Sequence, residues 1–162
     1  MTDIIKFTDK NNQSLLTKTE EFDFANPQMD SVELSKKVAD AMLEHMGFGL
    51  SANQIGIPLR VFAIKTNPVL VCFNPKIVSY SDDKVVLEEA CLSYPNMVVK
   101  IKRPRSIRMR FTLPNGEVMT ERYTDFTARI IQHELDHLEG VAFYKRANFY
   151  HRSKALKKVK YA

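Results

Sequence analysis

The run QHELDHLEG, residues 132–140, constrains this chain more than any other stretch. On a helix His133 and His137 stand one turn apart and project from the same face, close enough to grip one ion. If the pair holds a catalytic metal, the fold must bring a further ligand to that face. Thr124 or Asp125 can cap such a helix and Gly140 can end it. At about 100° per residue, Ala128, Ile131, Leu135 and Leu138 form an apolar stripe on the opposite face, while Phe126 and Ile130 fall beside the histidines. The histidine face is thus expected to lie off the main core.

A bare His-x-x-x-His pair recurs by chance, but Glu134 completes HExxH. The pattern supplies two neutral imidazole ligands and a carboxylate placed to move protons beside the ion. A catalytic metal takes roughly three protein ligands and keeps one position open for water, so one ligand is still to be found. Cys91, in EEACLSYP after a β-type segment, is the best candidate. Asp136 and Glu139 sit too close along the helix, and no motif surrounds His45 or His151.

Upstream, Asp30 followed by Glu33 reads as a helix-opening cap. Val38, Ala41, Met42, His45 and Met46 then recur at helical spacing until Gly47, which predicts a helix near 30–46. Between residues 60 and 111 come short β-branched or alternating stretches, RVFAI, VLVCFN, KIVSYS, KVVLEE, MVVKIK and SIRMRF, punctuated by Asn-Pro, Asp-Asp and Arg-Pro. Leu113-Pro114-Asn115-Gly116 predicts a hairpin into EVMTERY. Helices and strands are segregated, so the fold class is α+β with antiparallel sheets. GFGLSANQIG, residues 47–56, reads as a Gly-rich bend, and its useful residue is Gln54, whose amide can donate to a developing oxyanion.

Composition limits the setting. With 162 residues, 44% hydrophobic and 27% charged, one globular domain over 1–162 is expected. The longest apolar runs, such as 69–73, are far short of a membrane span, and no secretory leader opens the chain. The expectation is no membrane and a cytoplasmic location, or the host cytoplasm for a virus-borne gene. Cys72, inside VLVCFN, reads as a small buried thiol. The net charge of +5 is concentrated at the end: residues 145–162 hold seven Lys or Arg and no acid, against 17 basic and 19 acidic residues before them. This basic tail suits a solvated helix end, or contact with nucleic acid or an acidic partner.

Taken together and in order, GFGLSANQ, EEACLS and QHELDH resemble the peptide deformylase motifs GxGLAAxQ, EGCLS and QHExDH, with similar spacing over about residues 30–144. The resemblance implies antiparallel sheets packed around a central HExxH helix, with an N-terminal helix. It implies that Cys91, His133 and His137 hold one divalent metal ion, Fe2+ first, with Zn2+, Ni2+ or Co2+ as alternatives. Glu134 would be the general acid/base, Gln54 and the backbone N–H of Leu92 the oxyanion donors, and Phe48, Gly49, Phe126 and Ile130 the substrate-binding residues. The reaction implied is hydrolysis of the formyl group from N-formylmethionyl peptides with release of formate. Some family members meet the ribosome through a basic C-terminal helix, which the stretch from Lys145 to Lys160 resembles in charge alone, and a domain of this size is most simply a monomer.

Two positions depart from the motifs: Ala90 replaces Gly in EGCLS and Ser51 replaces the first Ala of GLAA. A methyl at 90 matters if the backbone there needs a conformation reserved for glycine. The N-terminal segment KFTDKNNQSLL also lacks the family's Pro-containing opening. Two other readings share the HExxH signal. A zinc endopeptidase would need a third ligand other than Cys91, and an inactive module with an RNA-binding tail would need a closed, structural metal.

Overall fold

A computed structural model describes residues 1–160; Tyr161 and Ala162, the end of the expected basic tail, lie outside the described residues. After a single turn, α1 (Gln13–Leu16), the first long helix, α2, forms over Ser31–Glu44. Asp30 caps it as its sequence predicts: the carboxylate accepts the Glu33 backbone N–H at 2.8 Å, satisfying one orphan amide of the first turn. Leu34, Val38, Ala41 and Met42 make the buried stripe. The residue that breaks the helix is Met46, at φ 54°, rather than Gly47.

The strands are β1 (Gly49–Ser51), β2 (Val61–Ile64), β3 (Leu70–Tyr80), β4 (Lys84–Cys91), β5 (Tyr94–Pro104), β6 (Ser106–Thr112) and β7 (Val118–Thr124). Five form a sheet in the order β1-β2-β3-β6-β7, and β4 and β5 form a separate hairpin, every pairing antiparallel. The stretches VLVCFN and KIVSYS, separate in the sequence reading, are one strand. Pro75 has no N–H to give the ladder, so the pairing with β6 slips between Phe73 and Lys76 without ending β3. The Asn74 side chain bonds both Phe22 N and Phe22 O, which holds the bulge. The Gly-rich bend likewise contains an edge strand, β1, followed by a 3₁₀ turn over Ala52–Ile55. The predicted hairpin closes β6 onto β7, with Gly116 at φ 91° and Thr112 opposite Val118.

The motif helix, α3, spans Asp125–Leu138, and a last helix, α4, spans Phe149–Lys160. β2 shows how the layers stack. Its four residues are all buried: Val61 and Ala63 join the core under α2, while Phe62 and Ile64 join the core under α3 with Ile131, Leu135 and Leu138. The large sheet therefore lies between the two helices. A third core, Tyr94, Met97, Val99, Ile101, Phe143 and Ala155, packs α4 and the segment after α3 on β5. α3 is consequently enclosed by the sheet on one side and the β4–β5 hairpin on the other. The apolar stripe Ala128, Ile131, Leu135 and Leu138 joins the core under the sheet and the histidines stay outside that cluster, as expected, but every residue from Ile131 to Leu138 is buried, because the histidine face has its own cover. At its end Gly140, φ 71°, turns the chain where an added Cβ would meet the Leu16 backbone at 2.8 Å. Among the described residues no helix is long and apolar enough to cross a membrane.

Candidate active site

Three elements converge on the histidine side of α3. The helix brings His133 and His137. The tip of the β4–β5 hairpin brings Cys91, where Cys91 pairs with Tyr94 although regular pairing would place Met97 there, so Pro95–Met97 bulge out and Leu92-Ser93 make the turn. The Cys91 Sγ lies 3.1 Å from His137 Nε2. Donor atoms of Cys91, His133 and His137 all fall within 4.8 Å of one another, so the third ligand expected from sequence is brought to the histidine pair.

The other candidates are committed elsewhere. Asp136 accepts from Arg103 at 2.9 Å and from Arg146 at 3.0 Å, and Glu139 pairs with Arg60 at 2.8 Å. His45 bonds the Thr2 carbonyl, and His151 lies against Tyr150 on α4. Cys72 is fully buried, its thiol pushed well up by burial, and takes no part.

The donor set suits a divalent cation on physical grounds. Burial alone would hold both histidines down, and His137 is indeed held well below its ordinary value. For His133 burial is outweighed by the Cys91 sulfur and the Glu89 carboxylate, which hold it well up. The pocket thus draws positive charge onto His133, the charge a bound cation would bring in exchange for the proton.

Glu134 is buried, and one of its oxygens, Oε2, has no hydrogen-bond partner. Burial pushes its carboxyl up to about 7, with Glu89 and Asp136 adding to the shift against the pull of His133. Such a group can both take and return a proton near neutral pH. Gly49 makes room for it: a Cβ there would stand 2.7 Å from Glu134 Oε1 and 2.8 Å from Ile130 Cγ2.

Gln54 closes the other wall. Its Nε2 donates to Ser93 Oγ at 3.0 Å and points at Cys91 Sγ, 3.7 Å away. Asn53, beside it, donates to the His137 carbonyl at 2.7 Å and ties the 3₁₀ turn to α3. The N-terminal segment joins both walls, since Ile5 N donates to Gln54 O and Phe7 N to Ser93 O. Gln54, Cys91, His133 and Glu134 line a cleft of about 650 Å³ with Phe48, Gly49, Leu92, Phe126 and Ile130. Phe48 and Phe126 meet edge to face at 5.2 Å, both still half exposed, and form an open apolar mouth.

Behind Cys91, His133 and His137 lies a support that no sequence motif marks. Glu89, 6% exposed, takes both Arg103 Nε at 2.6 Å and Nη2 at 2.9 Å, Arg129 Nη1 at 2.8 Å and His133 Nδ1 at 2.9 Å. Burial would raise this carboxyl, but hydrogen bonds from His133 and Arg103 hold it well below its usual range. The bond to Nδ1 leaves Nε2 of His133 for an ion and sets the ring orientation. A signal was present: on a strand Glu89 and Cys91, two apart, share a face, and Arg129 lies four residues before His133 on the helix. Ala90 is exposed and is not among the positive-φ residues, so the glycine of the motif is not required by the backbone there.

Comparison with known proteins agrees with this geometry. The model of the polypeptide deformylase family matches residues 1–153. A peptide deformylase of Pseudothermotoga lettingae is 37% identical over 113 residues, 70% of this chain and 66% of that protein. One from Aquifex aeolicus is 35% identical over 154 residues, 91% of this chain and 89% of that protein. The crystal structure of a peptide deformylase from Synechococcus elongatus in complex with actinonin superposes with a TM-score of 0.86 at 29% identity, covering 99% of this chain and 87% of that one. Peptide deformylases use a divalent metal, for which the Cys91, His133 and His137 cluster offers a site. The chain belongs to the polypeptide deformylase family, the hydrolases that remove the formyl group from N-formylmethionine peptides.

Proposed function

We propose that the cleft performs this hydrolysis with Glu134 as the group that moves protons and Gln54 and Leu92 as the donors to the oxyanion. The observation that carries the reading is Glu134 itself: a buried carboxyl held at about 7, with an unpartnered oxygen, in the cleft that Cys91 and His133 also line. A divalent ion held by Cys91, His133 and His137 supplies the Lewis acidity that makes water a usable nucleophile near neutral pH. Glu134 takes the proton of the attacking water and returns it to the leaving amine, so the formyl carbon leaves as formate. The second hydrogen on Gln54 Nε2 and the backbone N–H of Leu92 stabilise the negative charge on the formyl oxygen. The methionine side chain enters the apolar mouth formed by Phe48, Phe126 and Ile130, beside Gly49.

The ion in this reading is Fe2+; a sulfur with two imidazoles equally suits Zn2+, Ni2+ or Co2+. A chain of 162 residues suits a single domain that acts as a monomer. α4, with Lys154, Lys157 and Lys158 exposed, offers the basic surface for a contact with the ribosome, and a cytoplasmic location accords with this reading.

The test is formate release from a formyl-Met tripeptide, using protein loaded anaerobically with Fe2+, beside the unformylated and internal-amide analogues. Release from the formylated peptide alone is expected. Cleavage of the internal amide instead would replace this reading with an endopeptidase, and no release with one ion bound per chain would refute it.

A further inference from the structure

Ser51 is fully buried and stands where the family motif has alanine. Its backbone N–H donates to Gln54 Oε1 at 3.0 Å, and its hydroxyl Oγ lies 3.1 Å from the same oxygen. A side-chain amide oxygen has two acceptor sites, and both are taken by Ser51. On the other end of the amide, Nε2 spends one hydrogen on Ser93 Oγ, itself fully buried, and directs the other toward Cys91.

We propose that Ser51 is a positioning residue for deformylation: its hydroxyl, donating to Gln54 Oε1, orients and polarises the Gln54 amide so that the second Nε2 hydrogen is presented to the oxyanion. The inference rests on the role given to Gln54 above and extends it. Two physical effects act together. If the amide were flipped, Nε2 would face the Ser51 N–H, donor against donor, so the present orientation is favoured. A second bond to Oε1 draws electron density along the amide and strengthens what Nε2 donates, because hydrogen bonds in a chain polarise one another in a low-dielectric site. With alanine at 51 the orientation would still be chosen by the backbone N–H, but the second bond would be lost and the side chain held less firmly. Ser51 touches neither substrate nor metal ligand, so its effect should run through Gln54 alone.

The experiment is a double-mutant cycle on the Fe2+-loaded enzyme with a formyl-Met tripeptide, using Ser51→Ala, Gln54→Ala and the double variant. Alanine is the residue of the family motif, so Ser51→Ala is expected to fold. Ser51→Ala should lower kcat several-fold with KM within a factor of two, and should have no further effect in the Gln54→Ala background. A second readout is independent of turnover. In zinc-loaded protein the NMR signals of the Gln54 side-chain amide, assigned by their loss in Gln54→Ala, should move upfield and exchange faster with solvent in Ser51→Ala. An unchanged kcat with unchanged amide signals overturns the inference, as does an equal loss in both backgrounds. Gln54→Ala at the wild-type rate would instead overturn the role of Gln54, whatever the amide signals show about Ser51.

Discussion

Replacing Glu89 by glutamine asks whether the buried ion cluster, and not only Cys91, His133 and His137, holds the site together. The carboxylate accepts four hydrogen bonds between 2.6 and 2.9 Å, two from Arg103, one from Arg129 and one from His133. Glutamine has nearly the same shape, but its amide nitrogen must face at least one of these donors. Arg103 would keep Asp136, whereas Arg129 would keep only the carbonyls of Ile101 and Val85. Removing one partner from a buried ion pair costs about 3–5 kcal/mol, since the remaining charge stays desolvated. For a chain of this size each kcal/mol is worth about 2–4 °C, so the melting temperature should fall by roughly 6–20 °C. His133 would also lose the charged acceptor that orients its ring, and metal affinity should drop about 10–100-fold. Thermal unfolding followed by circular dichroism, with and without zinc, measures the first effect, and competition with a chromophoric chelator the second. A melting temperature within about 2 °C of wild type, together with unchanged zinc affinity, would refute the argument that this cluster supports the ligands.

Three further outcomes follow from the same geometry. Cys91→Ala removes the one proposed ligand from outside α3, so metal analysis after gel filtration should find the ion lost and formate release abolished, while retention of a full equivalent would mean that another donor holds it. Gly49→Ala places a methyl 2.7 Å from Glu134 Oε1 and 2.8 Å from Ile130, an overpacking that costs about 1–3 kcal/mol; kcat/KM should fall by at least tenfold with metal retained, and unaltered kinetics would show that Glu134 tolerates displacement. In metal-free protein, folding raises the Glu134 carboxyl from an ordinary value of 4.5 to about 7, so its stability contribution is complete below 4.5 and lost as pH rises through about 7. Glu134→Gln removes that titration, and denaturant unfolding between pH 4.5 and 8 should show metal-free wild type losing on the order of 3 kcal/mol relative to the variant; parallel curves would contradict a buried, uncompensated carboxyl.

Much of the site was readable because its signals are local. The 3.6-residue period alone puts His133 and His137 on one face, Asp30 three residues before Glu33 marks where α2 begins, and Asn115-Gly116 marks the turn from β6 to β7. Each rests on dihedral preferences and hydrogen bonds between near neighbours. The motif order then carried Cys91, Gln54 and Glu134 by resemblance.

What local pattern could not decide depended on contacts between distant parts of the chain. Whether Pro75 would end a strand or merely bulge it was decided by Asn74 bonding Phe22, 52 residues away. Glu89 reads as one more acid in an exposed hairpin until that hairpin folds over α3, where Arg103, Arg129 and His133 make its burial tolerable. The same enclosure keeps α3 buried on both sides despite its charged residues, lifts Glu134 to about 7, and aims the Gln54 amide between Ser51 and Ser93. Residue type and spacing set which groups the chain could offer for chemistry. Desolvation and long-range hydrogen bonding, which exist only once the hairpin, helix and sheet have packed, decided the charge and direction in which those groups are held.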